Sequence, residues 1–362
     1  MKKMKKLFAL ALALVMTASL AACGGSGSSG SSGSTQPASS GSAAPAPAPA
    51  EKIVLRYADT VNNEDVDGIG AAYFNDLVQE ATNGQVVIEF YGSSTLGSDI
   101  DITQACISGT VDIAKCSSGN LAGFSDALAW TELPGLFNSL EECRKVLESD
   151  VRDGIVQELL NDIGCYPLML DIDGGEPRCV CANVPVYVPS DLAGTKLRTT
   201  GSEIEMALFD SWKAGSTPVA FSELYSAMQQ KMIDGYYLQP AYVCTSKLEE
   251  CTDYITYVSQ SWVFSTKMIG PAAIAKLGGQ DSELFKTVVD CALKTEQYKA
   301  ELWGDLLAGY ADTMSAAGAT LIHPDDAQMA EWNAASASIW EKFVGKTVTQ
   351  EFLDQVNAVA KG

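Results

Sequence analysis

Arginine is scarce in this sequence, and one arginine stands where it could bind an anion. The chain has five arginines and nineteen lysines, and its formal net charge is -21. The stretch DLAGTKLRTTG, residues 191–201, places Arg198 at the end of a predicted strand. A guanidinium binds a carboxylate through two charge-assisted hydrogen bonds and stays charged when it is buried. Arg198 is therefore a candidate contact for an organic anion; the alternative is a surface ion pair, which the acidic surroundings of Arg144 and Arg152 indicate for those two residues.

Few other residues have types and spacing that could support catalysis or metal binding. The only histidine, His323, lies in a predicted connection, and the motifs of zinc proteases, α/β hydrolases and nucleotide-binding enzymes are absent from the sequence. Nine cysteines follow Cys23, and because an odd number disfavours complete disulfide pairing, we expect buried free thiols. Cys179 and Cys181 form the only close pair, so a cell-surface redox or metal protein is the alternative from another class. We predict no enzymatic activity and no cofactor, and no residue is assigned to a metal site; whether a metal ion accompanies the ligand stays open.

The first 50 residues have the composition of an export signal followed by a tether. Four lysines precede an apolar run that is too short to span a membrane, which predicts a signal peptide over residues 1–22. The run ends in Leu-Ala-Ala-Cys, which resembles a bacterial lipobox and predicts lipidation of Cys23. Residues 24–50 are rich in Gly, Ser, Ala and Pro and predict a disordered linker. No basic patch follows, so nucleic acid is a poor partner, and we expect membrane contact through the lipid alone.

The remainder of the chain predicts an α/β fold with two lobes. Strand and helix periodicities alternate as βαβαβ at the start, and the middle of the chain repeats this order. A helical pattern of some 35 residues then begins at Ser282. We predict a periplasmic-binding-protein-like fold with hinge strands and a long C-terminal helix. Its parts are lobe I at 51–174 (with part of 265–300), lobe II at 175–264, and helices at 282–362 that pack across both lobes.

Five stretches between residues 52 and 345 together form a specific pattern. They are EFYGSSTLGSDID, ISGTVDIAKCSSGNLAGF, LPGLF, VPSDLAGTKLRT and STPVAFSELYSAMQQKMIDG. The pattern resembles the extracytoplasmic substrate-binding proteins of tripartite ATP-independent periplasmic (TRAP) transporters, of the DctP type. The last two stretches are long and specific, so the resemblance extends beyond that of a general binding protein.

The resemblance implies which residues contact a ligand. Arg198 would pair with the ligand carboxylate, and Arg178 would be a second arginine at the site. Gln239 would replace an asparagine amide in DGYYLQPAY, where the chain departs most from the family, and Tyr236 and Tyr237 would either add an aromatic wall or pack. The other implied contacts are Phe221, Ser117, Asn120, Asp99, Asp59 and Trp262.

The resemblance also implies a function. Two lobes would close over a small organic acid, and the closed protein would deliver it to the small and large membrane subunits of a TRAP transporter. Ser117 and Asn120 are small and neutral where sialate-binding relatives carry charges, which indicates a compact or less polar acid. The protein would be lipid-anchored on the extracytoplasmic face of the cell membrane. A binding protein for an ABC transporter or a sensor kinase is the alternative within the same class.

Overall fold

The fold is built on two β-sheets. The computed structural model describes residues 51–362, except for the side chains at positions 305 and 308. The strands are β1 Ile53–Ala58, β2 Val86–Tyr91, β3 Ile113–Ser117, β4 Tyr166–Ile172, β5 Cys179–Ala182, β6 Lys196–Thr199, β7 Gly215–Pro218, β8 Gly235–Leu238, β9 Tyr254–Thr256, β10 Phe264–Ile269 and β11 Thr320–Ile322. The α-helices are α1 Val66–Ala81, α2 Asp99–Ser108, α3 Ser118–Leu121, α4 Leu140–Leu147, α5 Val151–Ile163, α6 Glu203–Ser211, α7 Leu224–Gln229, α8 Pro240–Thr245, α9 Pro271–Lys276, α10 Glu283–Ala316, α11 Asp326–Phe343 and α12 Gln350–Lys361.

The first sheet has the order β2-β1-β3-β10-β4, and we call the part of the chain built on it lobe I. β1 pairs in parallel with β2 and β3, as the predicted βαβαβ order requires. β10 enters between β3 and β4 and runs antiparallel to both. Apolar side chains of β1, β2 and α1 form the core beneath this sheet, including the fully buried Leu55, Phe74 and Val78.

The second sheet has the order β11-β9-β5-β8-β6-β7, and we call the part built on it lobe II. β6 is parallel to β7 and β8, whereas β5 is antiparallel to β8 and β9. The fold class that the sequence predicts, an α/β protein with two lobes, is therefore confirmed.

Two chain segments and one helix connect the lobes. The chain passes from β4 to β5 and returns from β9 to β10, and the two passages lie side by side. The backbone N–H of Asp173 donates to the oxygen of Val263 at 2.8 Å, and that of Arg178 donates to the oxygen of Ser261 at 2.9 Å. The 34-residue helix α10 begins at its N-cap Ser282 and packs on α1 and β4 of lobe I and on α8 and β11 of lobe II.

Short elements differ most from the sequence-based expectations. The stretch FSELYSAMQQKMIDG predicts one helix with Leu224, Met228 and Met232 on one stripe and Gly235 at its end. In the structure α7 ends at Gln229, and Met232 is 54% exposed while the other two are buried. The strand β11 was not predicted, because three residues are too few to establish a period.

The cysteines disfavour the redox alternative. All nine described cysteines are free, and Cys179 and Cys181 lie fully buried in β5. Burial raises the pKa of both thiols, so neither is a reactive thiolate at neutral pH. Within residues 51–362, no helix is long and apolar enough to cross a membrane. The predicted signal peptide, Cys23 and the linker at 24–50 lie outside the described residues.

Candidate ligand-binding site

A small cavity of about 40 Å³ lies between the two lobes. Its wall consists mostly of polar side chains, with a few apolar ones. Lobe I and the first connecting segment contribute Thr60, Asp99, Lys115, Ser117, Asn120 and Asp173. Lobe II contributes Arg178, Arg198, Thr200, Phe221, Leu238, Gln239 and Tyr242. The cavity thus brings together seven of the nine predicted ligand contacts, and only Asp59 and Trp262 are not among its lining residues.

Arg198 presents a buried positive charge to this cavity. It lies in β6 with 4% of its surface exposed, and its Nε donates to the backbone oxygen of Val219 at 2.9 Å. Arg198 forms no ion pair with any carboxylate of the described residues, and burial lowers its pKa. An arginine remains protonated even so. A buried guanidinium without a counter-ion is a strong anion site, because a bound carboxylate would relieve its desolvation.

Arg178 lines the same cavity, but its charge is already compensated. Its Nη1 lies 3.2 Å from Oε2 of Glu132 and 3.0 Å from Oε1 of Glu205. These carboxylates raise the pKa of Arg178 against the opposing effect of burial. Glu205 also accepts hydrogen bonds from Thr199 and from the backbone and hydroxyl of Thr200. Arg178 therefore links helix α6, through Glu205, to the short 3-10 helix Ala129–Glu132, through Glu132.

The lobe I wall carries a charged pair that sequence reasoning missed. Lys115 lies in β3, and its Nζ is 3.4 Å from Oδ2 of Asp173 and 3.9 Å from Oδ1 of Asp99. Burial alone would lower the pKa of Lys115, but Asp173 and Asp99 raise it. Its ammonium also lies 5.8 Å from the centroid of the Tyr242 ring. A lysine in a strand whose other residues are apolar or small, as in IAKCS, is the signal that could have identified it.

Behind this wall lies a second group of buried charges. Lys267 of β10 is 2.8 Å from Asp171 and 3.1 Å from Asp67, and Lys299 of α10 pairs with the same two aspartates. All four side chains are at least nine-tenths buried. The lysines lower the pKa of Asp67 and Asp171 against the effect of burial, so these pairs stay ionised. The group joins α1, β4, β10 and α10, which come from distant parts of the chain.

The predicted polar and aromatic contacts are held in place by local interactions. Asn120 Nδ2 donates to Ser117 Oγ at 3.0 Å, and Gln239 Nε2 donates to the backbone oxygen of Asp173 at 3.2 Å. Phe221 packs edge-on against Tyr242, with ring centroids 6.0 Å apart. The hydroxyl of Tyr242 is buried without a hydrogen-bond partner among the described residues, so it is available to a ligand.

Two of the predicted contacts, Asp59 and Trp262, are not among the residues that line the cavity. Asp59 is buried behind it and accepts hydrogen bonds from the backbone N–H groups of Thr60 and Val61 at 2.7 and 3.3 Å. It therefore shapes the loop that lines the cavity. Trp262 lines a separate depression, because its Nε1 turns away to donate to the oxygen of Phe137 at 3.3 Å.

The two tyrosines for which the sequence left two roles open pack in lobe II. Tyr236 and Tyr237 lie fully buried in β8 and do not line the cavity. The hydroxyl of Tyr236 lies 2.7 Å from that of Thr252, and the ring of Tyr237 meets Trp212 edge-on.

Residues 57–347 match the DctP family model, described as bacterial extracellular solute-binding protein, family 7. The chain belongs to this family. The TRAP-type resemblance of the sequence is thereby confirmed. DctP proteins are solute-binding proteins of transport systems and act outside the cytoplasm.

Individual DctP relatives are similar to this chain in sequence, and one of them also in its crystal structure. The 2,3-diketo-L-gulonate-binding periplasmic protein YiaO of Escherichia coli is 26% identical over 74% of this chain and 80% of its own length. The solute-binding protein RD1_1052 of Roseobacter denitrificans is 25% identical over 81% of this chain and 89% of its own. Its crystal structure with bound L-galactonate superposes with a TM-score of 0.77, covering 85% of this chain and 99% of that one at 22% identity. The uncharacterized protein y4mM of Sinorhizobium fredii is 32% identical over 58% of this chain, which spans 39% of that protein.

Proposed function

We propose that this DctP protein captures a small carboxylate in the cavity between its lobes, with Arg198 holding the carboxylate. The observation that carries the proposal is the buried guanidinium of Arg198, which lines the cavity and lacks an ion-pair partner among the described residues. Two relatives support a carboxylate ligand, since one is a 2,3-diketo-L-gulonate-binding protein and another has been crystallised with L-galactonate. The remaining predicted contacts, from Ser117, Asn120, Gln239, Phe221, Asp99 and Arg178, would select the rest of the molecule.

The size of the cavity favours a compact ligand. A volume of about 40 Å³ holds only a few atoms, since one water needs ~10–15 Å³ on the same measure. Gly119 of lobe I approaches Thr200 of lobe II so closely that a Cβ at Gly119 would lie 2.5 Å from the threonine hydroxyl. The walls are thus nearly closed, and opening at the connecting segments would admit the ligand.

Delivery to the membrane completes the proposed function. Membership of the DctP family supports an interaction with the small and large membrane subunits of a TRAP transporter. These subunits would recognise the closed protein with its ligand bound. We propose that Cys23 carries a lipid that keeps the domain at the extracytoplasmic face, with residues 24–50 as tether. A Cys23→Ser change should release the protein from the membrane fraction into the medium; an unchanged distribution would contradict the anchor.

The role of Arg198 can be tested by thermal-shift titration of the protein with a panel of small organic acids. A ligand that binds only the folded state raises the melting temperature. We expect one acid class to stabilise the protein and Arg198→Ala to weaken its binding about 100-fold or more, since a buried charge pair loses one partner. Arg198→Lys should restore only part of the affinity, because lysine lacks the planar fork.

The matched control is Arg56→Ala, because Arg56 is an exposed arginine of β1 that does not line the cavity. It should leave ligand binding unchanged. Stabilisation by an acid that persists in Arg198→Ala would show that the carboxylate is held elsewhere. Absence of a shift with every carboxylate would contradict the proposed function itself.

A further inference from the structure

The lobe I side of the cavity contains more buried carboxylates than buried ammonium groups. Three lysines, Lys115, Lys267 and Lys299, lie together with six aspartates, and each of the nine residues is at most 7% exposed. The aspartates are Asp59, Asp65, Asp67, Asp99, Asp171 and Asp173. Buried charges without partners are costly, so the excess of negative charge needs a physical explanation.

Protonation removes only part of this excess. Burial and the nearby Asp67 raise the pKa of Asp59 to about 7 and that of Asp65 to about 6. Even if both are counted as neutral, four aspartates face three lysines. One excess negative charge therefore remains at neutral pH, and it belongs to one of the other four carboxylates.

Asp99 is the carboxylate that the lysines leave without a close partner. Asp67 and Asp171 each contact both Lys267 and Lys299. Asp173 lies 3.4 Å from Lys115 and accepts a hydrogen bond from Ser265 at 2.6 Å. Asp99, in contrast, accepts no hydrogen bond from the described residues, and its nearest ammonium is Lys115 at 3.9 Å.

The opposite wall offers a complementary charge. Arg178 is bound by two glutamates, so Arg198 is the cation that faces the cavity without an ion pair. The cavity is therefore lined by a guanidinium without an ion pair from lobe II and, from lobe I, by a carboxylate whose Oδ1 has only a long contact of 3.9 Å to Lys115 and no hydrogen-bond partner among the described residues. The aromatic faces of Phe221 and Tyr242 lie in the same wall and are compatible with a cationic group.

We propose that the ligand is a small zwitterion whose carboxylate binds Arg198 and whose ammonium group binds Asp99. This inference rests on the proposed capture of a carboxylate by Arg198 and adds the chemistry of the ligand's other end. A simple anion would neutralise Arg198 and leave the charge of Asp99 uncompensated in the buried site, whereas the ammonium group of an amino acid would compensate that charge as well. The ammonium would also supply the hydrogen-bond donors that Asp99 lacks.

Calorimetric titration with matched acids tests the proposal. The probes are the ω-amino, ω-hydroxy and ω-methyl acids of equal chain length, in the series that starts from glycine, glycolate and propanoate and lengthens by one or two methylenes. We expect the amino member of at least one series to bind about tenfold tighter, or more, than its hydroxy and methyl partners. Equal or tighter binding of a hydroxy or methyl member in every series would overturn the zwitterion.

Two variants separate this inference from the proposed function. Asp99→Asn should lose the preference for the amino acid and keep the affinity for its hydroxy partner within about threefold, while the exposed Asp76→Asn control should retain the preference. If Asp99→Asn retains it too, the assignment of Asp99 is wrong. Binding of hydroxy acids that is lost in Arg198→Ala would leave the proposed function standing without the zwitterion. No binding of any acid would overturn both.

Discussion

At the scale of single residues, the partners of a charged side chain decide its role. Arg178 and Arg198 are both buried and line one cavity, yet only Arg178 has carboxylates at ion-pair distance among the described residues. On the other wall the difference is one of degree: Asp173 lies 3.4 Å from Lys115 and accepts a hydrogen bond from Ser265, whereas Asp99 lies 3.9 Å from Lys115 and its Oδ1 has no hydrogen-bond partner among the described residues. A buried ion pair fixes local structure, whereas a buried charge without a partner is suited to a ligand of opposite sign.

Asp59 should make stability depend on pH. Burial and Asp67 raise its pKa to about 7 in the folded protein. The stability it contributes is therefore complete below the pKa of the unfolded chain, near 4, and is lost as the pH rises through about 7. Asp59→Asn keeps an oxygen that can accept the hydrogen bond from Thr60, and it removes the charge. The difference between its melting temperature and that of wild type should therefore increase by several degrees from pH 5 to pH 8.

Thermal denaturation of both proteins at several pH values measures this difference. Asp76→Asn, an exposed carboxyl of α1, is the control and should follow wild type across the range. A constant gap between Asp59→Asn and wild type from pH 5 to pH 8 would show that Asp59 ionises as it does in the unfolded chain.

At the scale of elements, contact between the lobes depends on short segments that carry cavity residues. The four-residue helix α3 follows β3 directly and brings Gly119 against Thr200, which follows β6. The positions of Ser117 and Asn120 depend on the same segment. Because α3 has only one turn, its placement comes from tertiary contacts and not from helix propensity.

Gly119→Ala should therefore weaken ligand binding. Its Cβ would lie 2.5 Å from Thr200 Oγ1 and 3.2 Å from Thr200 Cβ, so the lobes could not approach as closely. We expect affinity for the ligand to fall about tenfold with little change in the melting temperature of the unliganded protein.

Gly123→Ala is the matched control, since the nearest atom to its added Cβ is 3.9 Å away. Calorimetric titration of the two variants compares them directly. Equal affinities for Gly119→Ala and Gly123→Ala would indicate that the contact between α3 and Thr200 is not required in the bound state.

At the scale of the whole molecule, α10 holds the two lobes together. Trp303 lies in the middle of this helix. A Cβ added at Gly175 of the first connecting segment would lie 3.2 Å from the Trp303 Cβ, and the Trp303 ring meets Tyr242 edge-on at 6.0 Å. It is 4% exposed. One side chain thus joins the long helix, a passage between the lobes and a residue of the cavity wall.

Trp303→Ala should lower the free energy of unfolding by about 3–5 kcal/mol, because it leaves a large cavity at this junction. Leu306→Ala, at an exposed position of the same helix, should change it by less than about 0.5 kcal/mol. Urea denaturation measures both values. A decrease in the free energy of unfolding of less than about 1 kcal/mol for Trp303→Ala would show that the packing of α10 at this junction contributes little to holding the lobes together.

Local pattern determined the long elements, the fold class and the family. Burial repeats along a strand or helix, so β1, α1 and α10 could be predicted from periodicity, and the stretch around Arg198 carried the resemblance. Short strands such as β11 could not be predicted in this way, because three residues are too few to show a period.

Only the tertiary structure decided which charges have partners. Lys267 pairs with Asp67, and Lys299 with Asp171, across long separations in sequence, because α1, β4, β10 and α10 meet in lobe I. Sequence could name Arg178, Arg198 and Asp99 but could not distinguish a paired charge from an unpaired one. Asp59 and Trp262 are not among the residues that line the cavity for the same reason: a side chain's direction and neighbours are set by packing, which residue type and spacing do not report.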